Sequence, residues 1–209
     1  EAVAEIIGES PDAVVFGGDA SSLAEPEELA GAVRVLRPLL DLGVPCIALA
    51  GNHDRYTGRS VHEQRFERAF EGWQMIDSTW QTLNLGGELV TFVDTARANW
   101  GVWDSRGKVV PLLDEAPALI FSHYALLRPD GTPDKPLHAL RNAEEVIDWL
   151  ARGPNTTWCC GHLHHSFTAC RGALTQFCAG SVGGPLRSWQ MIDTSGDRIG
   201  RTVHEIAKK

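Results

Sequence analysis

Residues 44–54 read Val-Pro-Cys-Ile-Ala-Leu-Ala-Gly-Asn-His-Asp: seven largely apolar positions that stop abruptly in an amide, an imidazole and a carboxylate. An apolar run of that length without polar alternation reads as a strand buried on both faces, the kind found in parallel sheets covered by helices. The same design recurs in three more places. AVVFGGD (13–19) ends in Asp19, ALIFSH (118–123) ends in His123, and TTWCCGHLHH (156–165) ends in His162, His164 and His165.

The stretches between them fit. Glu1–Glu9 and Pro26–Leu42 carry apolar residues at helical spacing, the second with Pro at its first turn, and Val61–Phe70 reads as a further helix. The second half is richer in strands, at Leu89–Val93, Phe167–Cys170, Leu174–Cys178 and Trp189–Asp193. One helix, Asn142–Arg152, interrupts them, with Asn142 at its N-cap and Gly153-Pro154 as its stop. Strand–helix–strand alternation predicts an α/β fold, and no repeat or linker divides the 209 residues, so a single domain spanning 1–209 is expected.

Composition narrows the function. The chain is 43% apolar and 22% charged, which excludes disorder and coiled coil. A net charge of −8 with no Lys/Arg run excludes non-specific nucleic-acid binding and docking on anionic membranes. No apolar run approaches the roughly 20 residues that span a bilayer. Five irregularly spaced cysteines argue for reduced thiols and a cytoplasmic setting, with no regular disulfide framework.

In open α/β sheets ligands bind beyond the carboxyl ends of the strands. Four such ends here would bring together carboxylate, amide oxygen and imidazole, a donor set suited to Mn, Fe or Zn. His162 and His164, two apart, would project to one side of an extended segment, and Gly51 and Gly161 would let the backbone bend at the site. The Gly-rich stretch 180–184 reads as a turn between two strands. Arg128 and His138 in the Pro-rich segment 128–138 read as solvated, and Trp100 and Trp103 as partly exposed.

The series GGDA, GNHD, SHY and GHLH, in this order, resembles the calcineurin-like metallophosphoesterase superfamily. The helix LRNAEEV (140–146) adds a weaker likeness to its bacterial cyclic-nucleotide phosphodiesterase-like branch. The resemblance implies a four-layer αββα sandwich and hydrolysis of a small phosphodiester or phosphomonoester, with a cyclic-nucleotide-like molecule favoured, by a hydroxide bridging two divalent ions. It implies metal-ligand roles for Asp19, Asn52, His123, His162 and His164, a role for His53 beside the scissile phosphate, and Asp54 as the carboxylate that orients His53. The superfamily's D-x-H motif occurs nowhere in this chain. The expectation is therefore that a first strand is missing ahead of Glu1, that one metal site is well formed, and that the chain is inactive as it stands. The alternative is a non-catalytic metal-binding or protein-interaction scaffold on the same fold. Oligomeric state is left open by the sequence.

Overall fold

The computed structural model describes residues 1–76, 80–96, 116–136, 138–183, 187–196 and 198–206; Trp100, Trp103 and Gly184 lie outside them. Among these residues β1 (Val14–Phe16), β2 (Cys46–Ala48) and β3 (Gln74–Met75) form a parallel three-stranded sheet in that order. A second sheet has β4 (Gln81–Leu85), β5 (Glu88–Val93), β6 (Leu119–Ser122), β7 (Thr156–Cys160), β8 (Ser166–Arg171) and β9 (Leu174–Ala179) in the order β4-β5-β6-β7-β9-β8. Its central strands β5, β6, β7 and β9 are parallel and its two edges antiparallel. The hairpin of β10 (Ser188–Asp193) and β11 (Gly200–Glu205) stands apart as a two-stranded sheet.

The continuous apolar strands are explained by what lies on each face. Neighbouring residues in a strand point to opposite sides, and here both sides are covered. Ile47 and Leu49 face the second sheet, packing with Ile76 against Val90, Phe92, Leu119, Cys159 and Phe177. Cys46, Ala48 and Ala50 face the other way, into a core with Leu29, Leu39, Phe66, Phe70 and Trp73. In the second sheet Ile120, Trp158 and Cys160 turn outward onto Val146, Ile147 and Leu150. The layers run helix, sheet, sheet, helix: α1 (Ala2–Gly8), α2 (Pro26–Leu36) and α4 (Arg65–Ala69) lie outside the first sheet, and α5 (Ala143–Arg152) outside the second.

Some boundaries differ from the sequence reading. The helix expected to Leu42 becomes a 3₁₀ turn over Arg37–Leu42, because Pro38 supplies no amide for an α-helical bond. The helix expected over 61–70 splits into α3 (Gly58–His62) and α4, with Gln64 left-handed between them at φ 50°. β3, β4 and β11 were not read at all. All five cysteines are free, four of them buried, and among the described residues no helix is long and apolar enough to cross a membrane.

One buried side chain fastens the segment after β6, where His123 sits. Gln176 on β9, with no exposed surface, accepts at Oε1 from the amides of Leu126 (2.7 Å) and Leu127 (2.9 Å) and donates from Nε2 to the Leu127 carbonyl (2.8 Å). A Gln176→Leu change would strand three backbone groups at about 1–3 kcal/mol each. Urea denaturation should show a loss of about 3–5 kcal/mol. A loss below about 1 kcal/mol would mean that the segment is held by other contacts.

Candidate metal centre

The turns after β1 and β2 meet backbone to backbone. Gly18 has φ +97°, and a Cβ there would lie 2.5 Å from the Gly51 nitrogen and 2.7 Å from His123 Nδ1; a Cβ on Gly51 would run into Asp19. Only glycine tolerates that approach on both sides. Gly161, by contrast, has room for a Cβ, so the second glycine that the bend requires is Gly18, not Gly161.

Asp54 holds this junction. Its carboxylate is 1% exposed and accepts from the amides of Asp19 (2.7 Å), Gly51 (2.9 Å) and Ser21 (3.2 Å) and from the Ser21 hydroxyl (3.1 Å). Burial, joined by the nearby Asp19 carboxylate, pushes its pKa up to about 6 against the pull of the Gly51 amide and the Ser21 hydroxyl. The expected carboxylate–imidazole contact with His53 is not made: all four of these bonds go to other donors. His53 Nδ1 instead donates to the Ser22 carbonyl at 2.8 Å.

Around the junction four sequence-selected residues come together. The liganding atoms of Asp19, His123 and His162 lie within 4.8 Å of one another. Asn52 Oδ1 is 3.0 Å from His123 Nε2 and 3.1 Å from His162 Nδ1, and His123 Nε2 is 3.4 Å from Asp19 Oδ2. His123 reaches across from the second sheet, and its Nδ1–H donates to the Gly17 carbonyl at 2.8 Å, which turns Nε2 toward the cluster. Two buried atoms here, Asp19 Oδ2 and His162 Nε2, lack a hydrogen-bond partner. Burial alone would raise the Asp19 pKa; His123 more than reverses this and holds it well below the usual carboxylate range. Burial would lower the His123 pKa, but Asp19 lifts it above the ordinary imidazole value. Burial and the neighbouring His123 press His162 down to about 3, so it stays neutral.

The donor set fits a divalent cation. Ligands bound at about 2.1 Å stand about 3.0 Å apart at right angles and about 3.4 Å apart at tetrahedral angles. The separations of 3.0, 3.1 and 3.4 Å seen here fall in that range. An ion placed among these atoms would also give Asp19 Oδ2 the partner it lacks.

The G-H-x-H segment departs from the extended shape expected of it. β7 ends at Cys160, and both His162 (φ 66°) and His164 (φ 58°) are left-handed, so the same-side rule of a strand does not apply. His162 turns inward, while His164 is exposed and falls outside the cluster among the described residues. Asp19 is also left-handed, at φ 59°. Such backbone costs about 1–3 kcal/mol per residue and gathers at functional sites.

Two features of the surroundings, at Tyr124 and Tyr56, are additional to the sequence expectation, and His138 lies nearer the centre than a solvated loop residue needs to. Tyr124, buried beside His123, packs its ring 4.4 Å from that of His162. His138 is exposed as expected, yet its ring lies 6.4 Å from His162. Tyr56 stacks on His53. Tyr124 and His138 meet His162 because segments distant in the chain close over one point, whereas His53 and Tyr56, three residues apart, meet through the turn that joins them.

Two outcomes follow. Asp54→Ala should lower the unfolding free energy by about 3–5 kcal/mol in denaturant titration, since three amides and a hydroxyl lose a charged acceptor; an effect under about 1 kcal/mol would contradict the role given to Asp54. Metal loading near neutral pH should release a proton, because His123, whose Nε2 faces Asn52 Oδ1 and pairs with the Asp19 carboxylate, must give up its Nε2 proton before it can ligate. Calorimetry in buffers of different ionisation enthalpy reads that proton, and affinity should fall as the pH is lowered.

The chain is similar in fold to the Thermus thermophilus sulfate thiohydrolase SoxB, solved with glycerol, at TM-score 0.51 and 14% identity, with 98% of this chain covered but 40% of that one. A phosphopantetheinyl hydrolase, PptH, from Mycobacterium tuberculosis aligns at TM-score 0.49 and 15% identity over 80% of this chain and 79% of the other. No curated protein sequence matches. The family model for calcineurin-like phosphoesterases matches residues 1–166, a span that contains Asp19, Asn52, His53, Asp54, His123, His162 and His164, and the chain belongs to that family.

Proposed function

We propose that this chain is a metal-dependent hydrolase of small phosphoesters, mono- or diesters, with a cyclic-nucleotide-like molecule the favoured substrate. The observation that carries the reading is the convergence of Asp19, Asn52, His123 and His162 on one point, with the buried Asp19 Oδ2 left without a hydrogen-bond partner. These four would hold one divalent ion, Mn, Fe or Zn; the exposed His164 is the residue available to a second. Such ions polarise a phosphoryl oxygen and lower the pKa of water.

The protein's own part is to position. Asp19 meets the His53 amide through Oδ1 (3.0 Å), which leaves Oδ2 for the ion. His123 has its tautomer set by the Gly17 carbonyl. His53 spends its Nδ1–H on Ser22, so Nε2, in the imidazolium form, is the remaining ring atom that would donate to a phosphoryl oxygen or a leaving group. A net charge of −8 would repel a phosphate at long range, and the site's cations must overcome that locally.

The test loads the chain with Mn²⁺ and assays p-nitrophenyl phosphate, bis-p-nitrophenyl phosphate and cyclic AMP. His53→Ala should keep its metal and lose about 10²–10⁴ in turnover, the usual value of a positioned proton donor. His123→Ala should lose metal and activity together. A fully metal-loaded protein that hydrolyses none of the three would overturn the proposal.

A further inference from the structure

We infer that Arg55 and Thr95 are positioning residues for the cation site. Through the buried segment 94–96, just beyond β5, they tie the turn that carries Asn52 to the segment that carries His123, and so set the spacing of these two ligands before an ion enters. The inference rests on the ion-binding role proposed for Asn52 and His123. Asn52 follows a strand of the first sheet and His123 one of the second, so their 3.0 Å approach depends on how the two layers are fastened at their carboxyl ends. The Gly17 bond fastens His123 to the turn after β1. The turn after β2 has a fastening of its own, which starts at the residue following Asp54.

Arg55 leaves that turn and reaches the second sheet. Its Nη1 donates to Asp94 Oδ2 and to the Ala96 carbonyl, both at 2.6 Å, while Nη2 donates to Glu67 on α4 at 3.0 Å. Asp94 also shapes the receiving segment, since its Oδ1 accepts from the Ala96 amide at 3.1 Å. Thr95, between them, carries the link on to β6. Its hydroxyl lies 3.0 Å from Ser122 Oγ and accepts from the Tyr124 amide at 3.3 Å. Ser122 and Tyr124 are the two chain neighbours of His123, so one hydroxyl holds the backbone on both sides of the ligand. Asp94, Thr95 and Ser122 are all buried.

A buried ion pair is a weak source of stability, because desolvation of the charges offsets their attraction. What this one supplies is direction. The planar, forked guanidinium fixes segment 94–96 relative to the turn after β2, where apolar packing alone would let the two slide. That restraint acts where it is needed, since Asn52 Oδ1 and the Asp19 carboxylate crowd His123 with no ion between them.

Four variants separate this role from a structural one. Thr95→Val keeps the shape and removes the hydroxyl, whereas Thr95→Ser keeps the hydroxyl. Arg55→Lys has no fork with which to hold Glu67 and segment 94–96 at once. Thr156→Val is the control: it removes a buried hydroxyl that donates to the Pro117 (2.9 Å) and Pro154 (3.3 Å) carbonyls at the entry ends of β6 and β7, away from the site. In Mn²⁺ titrations followed by the electron paramagnetic resonance of the free ion, Thr95→Val and Arg55→Lys should each bind about tenfold more weakly than wild type, the lower end of what groups supporting metal ligands contribute. Thr95→Ser and Thr156→Val should bind as wild type, although Thr156→Val melts at a lower temperature. Wild-type affinity in Thr95→Val or in Arg55→Lys, weakened binding in Thr95→Ser, or equal weakening in Thr156→Val would each overturn the inference. Should the wild type bind no Mn²⁺, the proposed function fails, and the inference is then decided in metal-free crystals. The Asn52 Oδ1–His123 Nε2 separation should widen in Thr95→Val and Arg55→Lys and stay near 3.0 Å in Thr156→Val. An unchanged separation in either of the first two would overturn it.

Discussion

A single buried carboxylate organises the centre of this molecule. Removing the Asp54 charge from water is costly, and only direct donors make it tolerable. Three of its donors are backbone amides from the turns after β1 and β2, so the charge is stable only while both turns close on it. Once closed, they touch glycine to glycine, and Asp19 is forced into a left-handed conformation beside Asn52. The site is therefore a consequence of one satisfied charge together with two residues that have no side chain to obstruct it.

The second sheet contributes by reaching across. His123 bonds to Gly17 on the opposite layer, which joins the two sheets at their carboxyl ends and sets the tautomer in the same contact. Its position is secured in turn by Gln176 beneath the following segment. Acceptors that would repel one another at 3.0–3.4 Å are thus held in place from behind. In the absence of an ion, a proton on His123 Nε2, facing Asn52 Oδ1 and the Asp19 carboxylate, relieves that repulsion, which is why the pKa values of Asp19 and His123 move apart. Proton and metal compete for one place.

Much of this was legible in the sequence because double-sided burial leaves an unambiguous mark. Ile47 beside Cys46 and Ala48, or Cys159 between Trp158 and Cys160, serve two cores at once and so read as unbroken apolar runs. The runs end where chemistry begins, and this located Asp19, Asn52, His123 and His162. Strands that alternate or sit at edges left no such mark: Gln81–Leu85 and Gly200–Glu205 are half polar and were passed over. Local conformation was the other blind spot. Nothing in Gly-His-Leu-His-His announces two left-handed histidines, since that geometry is imposed by tertiary contacts and opposed by local preference. The carboxylate–imidazole contact between Asp54 and His53 that the family resemblance implies is not made, because Asp54 is taken up by the amides of both turns and His53 by the Ser22 carbonyl.

The central claim is that these four residues form a cation site without rearrangement. Anomalous diffraction from crystals soaked in Mn²⁺ tests it most directly. The account predicts a strong peak bounded by Asp19, Asn52, His123 and His162, with the protein atoms essentially unmoved. A peak elsewhere, or none at saturating Mn²⁺, would contradict it.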